Sequence, residues 1–242
     1  MKDRLRTKLK SAYQNTLSVD YSIELAKALL KSSTHKDDKE FRSIVHGEIA
    51  ETLLEILLID YIRRNNLDKE KWFVKRELII KDVNNPNSDF LTELDVTLFT
   101  PKGVILFECK SYAGDIIVEG KGVVKRDGKA IGNVYNQNSL HRDTLHTNIK
   151  IASKFGENTK LPIYKIAYFH FAIGTITDNR SEKYIKYMPI INCQNLNSFL
   201  DTIKDRKRVY WDMDKLKRIC DIIDKNNSKR VDKHLAYVKS KH

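Results

Sequence analysis

Residues 92–110 hold two short, apolar, β-branched runs on either side of Thr100-Pro101-Lys102-Gly103, and this pattern commits the middle of the chain to a β-hairpin. Proline presets φ at the second turn position and glycine tolerates the fourth. Side chains alternate along a strand, so Glu108 and Lys110 share one face while Cys109 points to the other. With Pro101 and Lys102 as the two loop residues, Asp95 lies directly opposite Glu108. A three-residue loop with a bulge at Gly103 shifts that register by one.

Asp95, Glu108 and Lys110 thus converge at the end of a largely apolar hairpin. Close carboxylates repel, and one takes up a proton unless a cation holds both. A hard divalent ion such as Mg²⁺ accepts carboxylate and carbonyl oxygens together with waters. It lowers the pKa of a bound water and neutralises charge developing on a phosphoryl oxygen, while a lysine orients the nucleophile or stabilises the transition state. The same three residues also fit a salt-bridged strand end, with Lys110 paired to Glu108 or Asp95. Spacing alone leaves both readings open, and the surrounding chain has to separate them.

At 242 residues the chain can bury a sizeable core, and a hydrophobic content of 41% indicates a globular protein. Cys109, Cys193 and Cys220 are odd in number and far apart, without zinc-ligand spacing. This argues against structural zinc or a disulfide framework and suits a reducing, cytoplasmic setting. The basic start, Met1-Lys2-Asp3-Arg4-Leu5-Arg6, is not followed by an apolar segment, so no signal peptide is expected. Glu51, Glu55 and Asp60 interrupt the apolar stretch from Ile49 to Ile62, so no membrane span is expected. A net charge of +12 favours a polyanionic partner, nucleic acid first and an anionic membrane surface second.

Residues 1–18 are basic and polar and are expected as a frayed helix. Asp20–Lys31 is predicted helical, with Ile23, Ala26 and Leu30 on one face and Asp20 as its N-cap. A polar linker, Ser32–Asp38, leads into a long amphipathic helix over Lys39–Asn65, where Ile49, Leu53, Ile56, Leu57 and Tyr61 recur at three- and four-residue steps. Gly47-Glu48 is placed near its start, the glycine allowing close backbone approach. An extended segment Trp72–Ile80 and a loop over Asn84–Asn87 precede the hairpin. Beyond it come a strand at Asp115–Glu119, a tight Asp127-Gly128 hairpin and a helix over Asn136–Phe155. Strands at Ile163–Thr177 and Tyr187–Asn192, a helix starting with Asn195 or Asn197 as cap, and a helix over 212–225 complete the order. The expected organisation is a basic helical extension at 1–38, a main domain at 39–205, and a C-terminal helix with basic tail at 206–242. Helices alternating with strands in this way indicate an α/β layer fold with a mixed sheet.

Two further residues bear on the hairpin. Glu48, near the start of the preceding helix, leans its acid toward the sheet or is a solvated helix acid beside Glu51 and Glu55. Gln137 follows the glycine-rich hairpin at the start of the next helix, where an N-terminus favours phosphate and an amide holds a water or phosphate oxygen. His141, Arg142 and His146 continue at helical spacing, either as a phosphate-contacting face or as a solvated polar one. Gly47-Glu48, Glu93-Leu94-Asp95, Phe107-Glu108-Cys109-Lys110 with Gly114, and Asn133-x-x-x-Gln137 together resemble the nuclease-related domain (NERD) family, a branch of the PD-(D/E)xK nuclease superfamily. The resemblance covers about residues 40–200. It departs at Val134, where the family often has proline.

The resemblance implies a restriction-endonuclease-like mixed central sheet flanked by helices, here with helical N- and C-terminal extensions. It implies Mg²⁺ or Mn²⁺ held by Asp95, Glu108 and the Cys109 backbone carbonyl, with Glu48 completing the site. Lys110 would be the catalytic lysine and Gln137 the motif glutamine; His141 and Arg142 are expected as nucleic-acid contacts beside it from their helical spacing alone. The expected activity is hydrolysis of phosphodiester bonds in nucleic acid, DNA before RNA. Spacing excludes a Gly-x-Ser-x-Gly elbow, a His-Glu-x-x-His motif and a Walker loop; Gly120-Lys121-Gly122 reads as turn glycines. Two rivals stand beside the nuclease. One is a nucleic-acid-binding module of the same fold with negligible turnover; the other is an interaction protein docking through its basic ends (Arg4, Arg6, Lys8, Lys10; Lys229, Arg230, Lys233, Lys239, Lys241). The oligomeric state stays open, a homodimer included.

Overall fold

The computed structural model describes residues 2–33, 39–81, 91–112, 114–153, 162–170, 175–210, 212, 214, 216–218 and 220–221. Three helices come first: α1 (Lys2–Thr16), α2 (Val19–Ser33) and α3 (Lys39–Arg64). Six strands follow: β1 (Phe73–Lys81), β2 (Leu91–Thr100), β3 (Gly103–Lys110), β4 (Ile116–Glu119), β5 (Val123–Arg126) and β6 (Lys129–Asn133). The remainder is α4 (Val134–Ser153), β7 (Ile163–Phe169), β8 (Ile176–Asp178), α5 (Glu182–Tyr187), β9 (Ile190–Ile191) and α6 (Leu196–Lys204). The expected loop at Asn84–Asn87 and the basic tail lie outside the described residues, as does most of the expected helix over 212–225.

The β2–β3 hairpin closes on Pro101 and Lys102 with no extra residue: Thr100 pairs with Gly103 and Val96 with Phe107. The Thr100 hydroxyl accepts from the Lys102 N–H at 3.0 Å and donates to the Gly103 carbonyl at 2.8 Å. Glycine is required here because φ is 138° and a Cβ would lie 2.5 Å from the Pro162 oxygen. β1 flanks β2 antiparallel, while β7 and then β9 add in parallel beyond β3, giving the order β1-β2-β3-β7-β9. Leu54, Leu58, Tyr61 and Ile62 of α3 cover one face against Val96, Leu98, Ile105, Phe107 and Tyr168. Leu145 and Ile149 of α4 cover the other against Leu78, Ile80, Leu94, Val104 and Leu106. The result is a helix–sheet–helix sandwich with a mixed sheet, as the alternation of elements predicts.

Within this sheet, β1 and β2 turn over together. Val74, Val96 and Leu98 face α3, whereas Leu78, Ile80 and Leu94 face α4, although all six have even numbers. The ladder runs Arg76–Val96 and then Leu78–Leu94, skipping the rung at Glu77 and Asp95. Glu77 has a left-handed φ of 50°, which breaks the two-residue alternation in β1, and β2 inverts at the facing position. Asp95 therefore sits at an inversion point, released from the regular ladder.

A second sheet, β6-β5-β4-β8, joins the first through Ile116, Val118 and Val124, which pack on Ala167 and Phe169. The Asp127-Gly128 turn forms as its sequence predicts, with φ of 52° and 74°. The single strand expected over Ile163–Thr177 is instead two strands in different sheets. β7 pairs with β3 as far as Lys110, and β8 pairs with β4. The strand expected over Tyr187–Asn192 shortens to β9, preceded by α5.

Residues 2–16 form a packed helix, not a frayed one: Leu9 and Tyr13 are buried against Val45, Ile49, Leu53 and Ile56 of α3. Asp20 lies inside α2, and Ser18 caps it by accepting the Tyr21 N–H at 3.2 Å. Gly47 stands well inside α3 with nothing near the position of a Cβ, so the close approach expected there is absent among the described residues. Among the described residues no helix is long and apolar enough to cross a membrane.

Candidate active site

Alternation along β3 turns Val104 and Leu106 toward α4, so Glu108 and Lys110 emerge on the α4 side. Lys110 Nζ lies 2.6 Å from Glu108 Oε1 and donates to Gln137 Oε1 at 3.2 Å. α4 delivers Gln137 because Asn133 caps the helix, its Oδ1 accepting the Asn136 N–H at 3.0 Å. One turn on, His141 places Nδ1 3.1 Å from Glu108 Oε2. Its ring is buried, so the solvated or phosphate-facing position open to it from spacing is not the one observed.

Asp95 joins the group through the skipped rung. Its Oδ2 accepts the Cys109 N–H at 2.8 Å, so a side chain replaces the ladder bond that ends at Val96–Phe107. Glu108 is one step beyond that last pair, opposite Asp95, as the two-residue loop predicts. Burial, then Glu108 and Glu51, push the Asp95 carboxyl well above the usual range. Burial also works against the charge on Glu108, but His141 and Lys110 outweigh it and hold that carboxyl low. Asp95 is therefore the member of the pair that favours its proton, and Glu108 the one that favours its charge. Burial opposes the Lys110 charge too, yet Glu108 and Asp95 keep the ammonium protonated above its ordinary range. The Cys109 thiol is driven up by burial and by Asp95, so its backbone carbonyl, not a thiolate, is the donor that a cation could use.

On the α3 side, Glu48 is buried and fully engaged. It accepts from Arg6 Nε at 3.1 Å, Arg76 Nη2 at 3.1 Å and Thr52 Oγ1 at 2.9 Å. Burial opposes its charge, but Arg6 and Arg76 bring its carboxyl below the ordinary range. Glu51, one turn further on, accepts from Arg76 Nη2 at 3.0 Å. Its carboxyl is pushed up to about 7 by burial first, with Glu48 and Glu93 adding to the shift. Its negative charge is among the influences that raise the Asp95 and Cys109 groups, alongside burial. Sequence reasoning missed Glu51, Arg76 and Arg6. The available signal was the three-residue step from Glu48 to Glu51 on one helical face.

The structure thus gathers Asp95, Glu108, Cys109, Lys110, Gln137 and His141, and it commits Glu48 to the arginines. Arg142 stands at the surface, paired with its neighbour Asp143. His146 is held below the usual imidazole range by partial burial and by Lys150. Among the described residues, no three carboxylate, imidazole or thiol side chains form a ready-made metal cage. The donors nevertheless suit a hard divalent ion. Glu108 Oε2 is buried with His141 Nδ1 3.1 Å away, and Asp95, Glu108 and the Cys109 carbonyl offer oxygen alone. Mg²⁺ is bound in this manner, by one or two carboxylates with waters filling the remaining positions.

The sequence model of a nuclease-related domain matches residues 47–170, a little over half of the chain and the whole hairpin-centred group. No curated protein and no solved structure matches.

Proposed function

The chain belongs to the nuclease-related domain family, and from that premise we propose that it is a Mg²⁺- or Mn²⁺-dependent nuclease that hydrolyses phosphodiester bonds, with DNA as substrate. The observation that carries the proposal is the arrangement at the hairpin end. A carboxyl pushed toward its neutral form by burial and its neighbours lies across from one held low, and a lysine is fixed between that second carboxylate and an amide. Asp95, Glu108 and the Cys109 carbonyl would hold the ion, and Glu51 takes the helix-acid place given to Glu48 from sequence. When bound, the ion supplies a lowered water pKa and charge neutralisation at the scissile phosphate.

The chain's own side chains do the rest. Lys110 presents a permanent positive charge beside Glu108, placed to steady an attacking oxygen or the charge on a phosphoryl oxygen. Gln137 steadies the lysine by accepting its second hydrogen bond. His141 keeps the second oxygen of Glu108 from swinging away. A net charge of +12 brings a polyanion to this edge.

Incubation with plasmid, linear and single-stranded DNA, with Mg²⁺, Mn²⁺ or chelator, tests the proposal. Metal-dependent cleavage that is lost in Lys110→Ala and Asp95→Ala supports it. Salt-sensitive retention of intact DNA in a gel shift, with no cleavage under any metal, identifies a binding module instead.

A further inference from the structure

One buried guanidinium faces four carboxylates beside the candidate site. Arg76 lies 3.1 Å from Glu48, 3.0 Å from Glu51, 3.8 Å from Glu55 and 3.7 Å from Glu77, with its side chain 5% exposed. A single positive charge does not balance that set, and unpaired buried carboxylates are costly. The missing charge comes from α1. Arg6 reaches Glu48 at 3.1 Å and Glu77 at 2.6 Å, and Lys10, one turn further along the same face, reaches Glu55 at 2.7 Å.

The two α1 cations do different things. Lys10 ties α1 to Glu55, which stands 3.8 Å from Arg76, beyond hydrogen-bond reach, and serves as a clamp between helices. Arg6 instead holds both lines that lead to the site. Through Glu48 it fixes one acceptor of the Arg76 fork, whose same nitrogen holds Glu51. Through Glu77 it fixes the left-handed residue facing Asp95, where the strands turn over. A glutamate in that backbone region is strained, and such positions persist where surrounding contacts over-determine them. α1 lies outside the matched stretch of 47–170.

We infer that α1 is an integral part of the metal site and that Arg6 is a positioning residue for it, aiming Glu51 and Asp95 through Glu48 and Glu77, a role that depends on the metal-site reading proposed above. Losses of this kind in residues that support ligands weaken metal affinity by about 10–100-fold.

Mn²⁺ titration of the full chain by calorimetry and by loss of the free-ion paramagnetic signal, without nucleic acid, tests the inference. Arg6→Met is expected to raise the Mn²⁺ Kd by about 10-fold, whereas Lys10→Met lowers the melting temperature and leaves the Kd at the parent value. Glu77→Gln removes the charge at the other end of the bond and should weaken Mn²⁺ in the same direction. Combining it with Arg6→Met should add nothing further. Glu77→Gln also answers the question if Arg6→Met does not fold. Parent affinity in Arg6→Met or in Glu77→Gln overturns the inference, as does an equal loss in Lys10→Met, which would make α1 a fold clamp alone. A parent chain that binds no Mn²⁺ fails the metal-site reading itself, and the positioning role falls with it.

Discussion

Asp95→Asn separates the two jobs of this carboxyl, one in the metal-free fold and one in holding an ion. Without metal, burial, Glu108 and Glu51 all push the carboxyl toward the neutral form. Asparagine matches that neutral form, and its Oδ1 can still accept the Cys109 N–H now bonded to Asp95 at 2.8 Å. Metal-free stability should therefore stay within about 1 kcal/mol of the parent, the worth of one ordinary hydrogen bond. Metal binding is different, since the ion needs the anionic oxygen that asparagine lacks. At 100 times the Kd, a ligand that binds only the folded state stabilises it by about 2.7 kcal/mol, and a chain of this size gains ~2–4 °C per kcal/mol. The parent melting temperature should thus rise by about 5–11 °C in saturating MgCl₂ or MnCl₂ while that of Asp95→Asn does not move. Scanning fluorimetry with and without metal reads both quantities. A retained metal shift in Asp95→Asn would refute the ligand role. A metal-free loss of ~3–5 kcal/mol, the scale of a broken buried ion pair, would refute the protonated carboxyl.

Glu51 gives the stability a pH dependence of definite sign. Its folded pKa of about 7 lies above the ordinary 4.5, so its contribution is fully present below pH 4.5 and is lost as pH rises through 7. Glu51→Gln should remove that contribution, so that the stability difference between parent and variant falls by up to about 3 kcal/mol across this window in metal-free urea titrations; a difference that does not vary with pH would contradict the assignment. Gly103→Ala should cost ~1–3 kcal/mol in the same titrations, because a side chain at φ 138° is strained and its Cβ would press on the Pro162 oxygen. An unchanged urea midpoint would show that the turn relaxes freely.

The parts of the fold that were legible in the sequence are those fixed by local chemistry. Pro101, Gly103 and the Asp127-Gly128 pair each impose a turn geometry by themselves, and the register that brings Glu108 opposite Asp95 follows from the first turn. The span of α3 was equally plain from its apolar repeat, ending at Arg64 where Asn65 was expected. What the sequence hid depends on distant partners. Glu48, Glu51 and Glu55 fall on one helical face, and nothing local distinguishes them. Arg6, 42 residues from Glu48, decides which acid is tied down. The turnover at Glu77 was invisible because glutamate carries no signal for a left-handed backbone. The split of the apolar run after Ile163 was hidden for a related reason: apolarity marks burial, but it does not say in which sheet.

The shared turnover of β1 and β2 also governs how this pair of strands can change in length. Removing Glu77 alone would restore continuous alternation in β1 with Leu78 and Ile80 still facing α4, but it would shift the register by one, so that Leu94 met Ile79 in place of Leu78. The rungs beyond would then join residues bound for opposite sides of the sheet. An insertion or deletion here is tolerable when both strands take it at the same rung, so related chains should gain or lose residues at this point in matched pairs.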